Sequence, residues 1–226
     1  MSPPTAARPP RRALTVTVTA LATLVVAGSL TWTVLYALSP FGPSGVSPAR
    51  GLPADPCTVV SEELRDDLDA EVSSWSVSNY SSGCGWNVSM HGQDEVSLRV
   101  FHSVPMSEAD AELAEELSDE DVPRDAETMY EDEVESAGEL AAVVEGSTTE
   151  IVGTEEADLG LGDENVLVLA DIAYEYESGT TQRVSVVVRE GDVVSSLRVT
   201  LPSGGDDLDA AGAEELLTDV IADVFG

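Results

Sequence analysis

The chain predicts an α+β domain: an antiparallel β-sheet, laid out as a meander, with helices packed mainly on one face. Three observations carry this reading. From Asn165 to Leu201 the sequence gives three apolar-rich strand segments whose connections are short enough to force antiparallel neighbours. Cys84, Trp86 and Val88, and then Val96, Leu98 and Val100, alternate with mostly small or polar residues, which is the pattern of strands with one buried face. Near the C-terminus Ala213, Leu216, Leu217, Val220, Ile221 and Val224 recur at helical spacing and line one face.

The N-terminal segment is of another kind. The first 50 residues carry four arginines and no acid, whereas all 43 acids lie beyond them. Arg8, Arg11 and Arg12 precede the uncharged run Ala13 to Leu38. A helix needs about 20 apolar residues to cross a bilayer core, and the apolar part of a signal peptide is usually about 7–15. The run is longer than the second requirement and meets the first. Trp32 and Tyr36 sit near its outer end, where amphipathic rings favour the interface. Length favours an uncleaved signal-anchor over a long cleaved signal peptide. The expected organisation is a cytoplasmic basic tip (1–12), a transmembrane helix (13–38), a Pro/Gly linker (39–56) and an extracytoplasmic α+β domain (57–226). This is a single-pass cell-membrane topology with the N-terminus inside.

Within the domain the elements follow in order. Ser61 is placed to cap a helix that opens with Glu62 and Glu63, and Val60, Leu64, Leu68 and Val72 extend it at four-residue steps. His91-Gly92-Gln93-Asp94 turns the chain between the strands at 84–88 and 96–100. Ser107 and Asp110 form a capping box for a helix striped by Ala109, Leu113 and Leu117. Ser118 to Glu139 is acidic and poor in large apolar residues, and reads as a mobile or loosely packed excursion outside the core. Strands over 165–177, around 181–190 and around 192–201 are joined by turns at Ser178-Gly179-Thr180 and at Gly191. The last helix follows, with Asp206, Asp207 and Asp209 at its start.

Two cysteines, Cys57 and Cys84, both fall outside the membrane on this topology. An even count in an oxidising compartment points to one disulfide; two buried free thiols are the other reading. Two lone cysteines do not supply a zinc site.

The ordered set D-P-C at 55–57, S-G-C-G-W at 82–86, L-G-L-G-D-E at 159–164 and R-E-G-D-V-V at 189–194, closed by an amphipathic helix, resembles a family of actinobacterial secreted proteins and lipoproteins of unknown function. That family has a Cys…Cys-x-Trp pattern. It is similar in layout to the extracellular sensor domains of actinobacterial receptor Ser/Thr kinases. The resemblance spans roughly Asp55 to Gly226. It implies that Cys57 pairs with Cys84 and that Leu161-Gly162-Asp163-Glu164 makes a tight turn leading into the central sheet. It implies no established reaction. The chain departs from the common form in lacking a lipobox cysteine, so its anchor is expected to be the helix.

Charge bounds the partners. The chain has no lysine and a formal net charge of −33, which repels nucleic acid, since binding there rests on basic groups neutralising phosphates. The histidines, His91 and His102, sit in a turn and on a strand, and no G-x-S-x-G elbow or H-E-x-x-H helix is present. Asp119-Glu120-Asp121 and Glu131-Asp132-Glu133 lack the spacing of an EF-hand. No catalytic, cofactor or metal residue is therefore assigned. The expected function is a membrane-anchored, non-enzymatic, sensor-like binding domain, partnered by the membrane through 13–38 and by an envelope protein or small ligand. The alternatives are a calcium-responsive acidic module using 118–139 and a cell-envelope hydrolase with an acid pair.

Overall fold

The computed structural model describes residues 48–118, 121–138, 150–173, 180–203 and 207–226. The apolar run 13–38 and the turn at 178–179 lie outside the described residues. Among those described, no helix is long and apolar enough to cross a membrane. One compact unit spans Ser47–Gly226.

Seven strands form one antiparallel sheet: β1 (Glu71–Val77), β2 (Ser81–Met90), β3 (Gln93–Ser103), β4 (Glu150–Ala157), β5 (Glu164–Ala173), β6 (Thr180–Glu190) and β7 (Val193–Leu201). Their spatial order is β1-β2-β3-β7-β6-β5-β4. Two meanders, β1–β3 and β4–β7, thus meet where β3 pairs with β7. Among the described residues four α-helices accompany them: α1 (Glu62–Asp67), α2 (Glu108–Ser118), α3 (Ala126–Gly138) and α4 (Ala210–Phe225). The expected α+β class and antiparallel meander are present.

The main core lies on one face. Trp86, Leu98, Val100, Leu167, Val186 and Leu197 are buried there beneath Ala213, Leu217, Val220 and Ile221 of α4. Leu216 and Val224 pack at its margin, so every residue read as the apolar face of α4 meets the sheet. Asp209 caps this helix by accepting from the Gly212 N–H.

The helices are not confined to that face. Ala126 and Ala137 of α3 are buried against Val168, Val187 and Val194 on the opposite side, with Met129, Tyr130 and Val134 beside them. The expectation of helices mainly on one face is corrected here, and so is that of a loose excursion over 118–139. Ala126, Tyr130, Val134 and Ala137 recur at helical spacing and give α3 a face that packs on the sheet, the two alanines buried. Asp125 accepts from the Thr128 N–H and opens the helix.

Three further readings change. Ser61 does cap α1, accepting from the Leu64 N–H, but the helix stops at Asp67 and Asp69 takes a positive φ of 49°. Val72 therefore belongs to β1, an edge strand paired with β2. In α2 the buried residue is Ala111, while Leu113 and Leu117 are exposed; the helix meets the domain on another stripe. The end of the expected linker is part of the domain. The Ala49 N–H donates to the Asn79 carbonyl, and Leu52 is buried.

The turn before β5 is tight. Gly162 has a φ of +54°, and a Cβ there would lie 2.5 Å from the Arg189 carbonyl oxygen, so only glycine fits. The Asp163 N–H donates to that same carbonyl. Arg189 Nε donates to Glu164 at 2.6 Å, which holds the guanidinium pKa above its ordinary value.

Candidate functional site

A cleft of about 400 Å³ opens on the second sheet face, between α3 and the β3/β7 seam. Its floor is set by strand alternation: Arg99, Phe101 and Ser103 of β3 and Ser196 and Arg198 of β7 point away from the main core. Its wall is α3, which contributes Met129, Glu133 and Ser136.

The strand register makes two arginines direct cross-strand neighbours, and both line the cleft. Arg99 pairs directly with Arg198 across β3 and β7. Arg198 Nη2 reaches Glu133 Oε1 at 3.4 Å, while its buried Nε has no hydrogen-bond partner. Arg99 is exposed, and among the described residues it forms no ion pair. By contrast, Arg189 reaches Asp163 and Glu164, and Arg124 reaches Glu108 and Glu115. Arg50 and Arg65 likewise form no ion pair among the described residues; what sets Arg99 apart is its place beside Arg198 in the cleft. Like charges placed opposite one another on neighbouring strands are destabilising. A guanidinium pair of this kind, with hydroxyls beside it, can bind a carboxylate or phosphate.

Phe101 is held over the floor by a glycine. Gly83 is its cross-strand partner, and a Cβ at that position would fall 2.1 Å from Phe101 Cδ1. The ring lies where a side chain on β2 would stand.

Other residues singled out from the sequence lie elsewhere. Cys57 and Cys84 form a disulfide, with Cα atoms 5.1 Å apart, and both belong to the main core on the opposite face. His91 lies in the β2–β3 turn with a φ of 53°, at the far end of that hairpin from Ser81 and Ser103. His102 faces the main core. Its Nδ1 shares a 2.7 Å hydrogen bond with Ser195 Oγ, and burial lowers its pKa. This is a satisfied core contact on one nitrogen, sealed from the cleft. Of the acidic runs, Glu133 turns into the cleft, whereas Asp119 and Glu120 lie outside the described residues. Among the described residues no group of three or more His, Cys, Asp or Glu is placed to hold a metal ion.

A second, mainly apolar groove adjoins the first. Val104, Met106, Val122 and Pro123 line it, and it shares Ser81, Ser103 and Met129 with the arginine cleft. Its walls are tied down. The Val104 N–H donates to the Tyr80 carbonyl. The Tyr80 hydroxyl donates to Asp110, which also accepts from Ser107; the Ser107 and then the Tyr80 hydroxyl hold the Asp110 carboxyl below its usual range. The Val122 N–H donates to Glu115.

Reading the sequence missed Arg99 and Arg198 as a pair. A weak signal existed, namely an arginine at an outward position of each of two strands. Nothing local said that these strands are neighbours. No protein-family model matches the chain, and neither a curated protein nor a solved structure matches it.

Proposed function

We propose that this chain is a membrane-anchored, extracytoplasmic, non-enzymatic binding domain that holds an anionic ligand in the cleft between α3 and the β3/β7 seam. The observation that carries it is the facing pair Arg99 and Arg198, of which only Arg198 has an acid partner. Holding two guanidiniums opposite one another costs about 0.2–1 kcal/mol. An anion between them removes that repulsion and adds charge-assisted hydrogen bonds of about 1.5–3 kcal/mol each. The bound state therefore gains more than the empty state loses. The chain's net charge of −33 opposes an approaching anion, but at physiological salt the screening length is about 8 Å. Distant carboxylates are largely screened, while the guanidiniums act at contact. Glu133 is the resident competitor.

The compartment rests on other observations. The step in charge across residues 13–38 orients the chain by its arginines, and a disulfide between Cys57 and Cys84 suits an oxidising environment. Layout similarity to sensor domains adds an analogy of form, not of chemistry.

Calorimetric titration of the purified full-length protein with inorganic phosphate and with acetate tests the site. Binding should weaken at least tenfold in Arg99→Gln combined with Arg198→Gln, and should tighten in Glu133→Gln, which removes the competitor. Equal binding by the double variant and the native chain would refute the site. Protease added to intact cells should remove the acidic domain; survival until lysis would refute the orientation.

A further inference from the structure

We infer that the ligand is an anionic amphiphile, its head between Arg99 and Arg198 and its apolar tail in the groove formed by Val104, Met106, Val122 and Met129. The inference rests on the anion-binding reading above and extends it to the rest of the molecule bound. The arginine cleft and the apolar groove each enclose about 400 Å³, and the shared residues Ser81, Ser103 and Met129 make them one continuous depression. Sites for small molecules commonly run to about 300–1,000 Å³, apolar for most of their length with a few placed polar groups. This depression carries two arginines with Glu133 at one end, and at the other Val104, Met106, Val122 and Pro123, edged by Ser78, Asn79 and Tyr80.

The groove is built, not a gap between loose segments. Its Val122–Pro123 wall is fixed to α2 by the Val122 N–H on Glu115 and by Arg124, which bonds Glu108 and Glu115 on that same helix. Its Tyr80 side is fixed through Asp110. A short inorganic anion would leave these apolar walls wetted, and a neutral or cationic apolar molecule would leave Arg99 unpaired. Only a molecule with both parts satisfies both ends. Methionines at positions 106 and 129 suit a tail of variable shape, because their unbranched side chains adapt to what lies against them.

The test uses the full-length chain in phosphatidylcholine nanodiscs, with empty nanodiscs titrated as the blank. Acetate, butanoate, hexanoate and octanoate form one series; inorganic phosphate, butyl phosphate and octyl phosphate form another. Each buried methylene should tighten binding about fourfold until the groove is filled. A rise along either series supports the inference, and the series that binds tighter at equal chain length assigns the head as carboxylate or phosphate. Met106→Gln should flatten the rise with chain length, and Val122→Gln, an independent second groove variant, should do the same; a rise as steep as the native chain's in both would overturn the inference. If acetate or phosphate binds but chain length has no effect, the amphiphile inference falls and the anion site stands. If nothing binds, both fall. Octyltrimethylammonium binding as tightly as octanoate would overturn the inference by showing a greasy groove without charge selection.

Discussion

The contact between Gly83 and Phe101 allows a sharp test of how the cleft floor is assembled. The perturbation is Gly83→Ala. An alanine Cβ would sit 2.1 Å from Phe101 Cδ1 and 2.8 Å from Cγ. Carbon atoms rest at about 3.5–4.0 Å, so the ring must retreat by roughly 1.4 Å or more. Because Cγ is implicated as well as the ring's far atoms, rotation about the last bond does not relieve the clash. Overpacking of this kind costs about 1–3 kcal/mol. Phe101 is 38% exposed and can swing outward, which places the expected value near 1–2 kcal/mol within that range. In a Phe101→Ala background the obstacle is gone. There Gly83→Ala should be neutral or stabilising by up to about 1 kcal/mol, because alanine restricts the unfolded chain. Urea unfolding of the four proteins, followed by circular dichroism, gives the coupling energy, expected to be at least 1 kcal/mol by the range above. Equal costs of Gly83→Ala in the two backgrounds would refute the idea that the ring fills the space above this glycine.

Three other outcomes are expected. Replacing Cys57 and Cys84 together by serine opens a crosslink between residues 27 apart, at a cost of roughly 3–4 kcal/mol; the melting temperature should fall by about 6–16 °C, and an unchanged value would refute the staple. Val220, only 2% exposed on the sheet-facing side of α4, should cost upward of about 4 kcal/mol as Val220→Asp, since the carboxylate has no partner against the sheet; a neutral result in a thermal melt would mean that α4 does not dock. His102 has a folded-state pKa lowered by burial, so it is held neutral in the fold while the unfolded chain takes up a proton near the ordinary imidazole value. Its contribution is fully present above about pH 6.5 and is lost as pH falls from there towards the lowered pKa. Stability measured from pH 7 to 5.5 should therefore decline more steeply in the native chain than in His102→Gln; parallel slopes would show that His102 is not the group responsible.

Much of the sheet was legible because its signals are local. The alternation of Cys84, Trp86 and Val88, and of Val96, Leu98 and Val100, marks β2 and β3, and all six are buried. Gly191 turns β6 into β7 with a φ of +57°. The α4 face was visible in full, since a helix carries its own period. Readings failed where a local pattern was weak or shared by two states. Val72 continues a four-residue spacing from Val60, yet it pairs with Trp86 in a strand. Main-chain pairing with β2 outweighed one further helical turn. The stretch 118–139 has few large apolar residues, and α3 docks through two buried alanines with Met129, Tyr130 and Val134 beside them, a stripe interrupted by acids that reads as weak hydrophobicity.

The candidate site shows where sequence stops and tertiary structure begins. Each strand's inward and outward residues are decided by a two-residue period that any short window contains. The pairing of β3 with β7, which makes Arg99 and Arg198 cross-strand neighbours, joins the two meanders across the middle of the sheet. No window of the sequence holds both partners. Likewise, only the whole fold lays α3 over the second face and brings Val122 and Pro123 beside Val104. Local periodicity is a short-range property of the chain. Register between distant strands comes from closing long loops and burying two faces at once, a property of the assembled sheet alone.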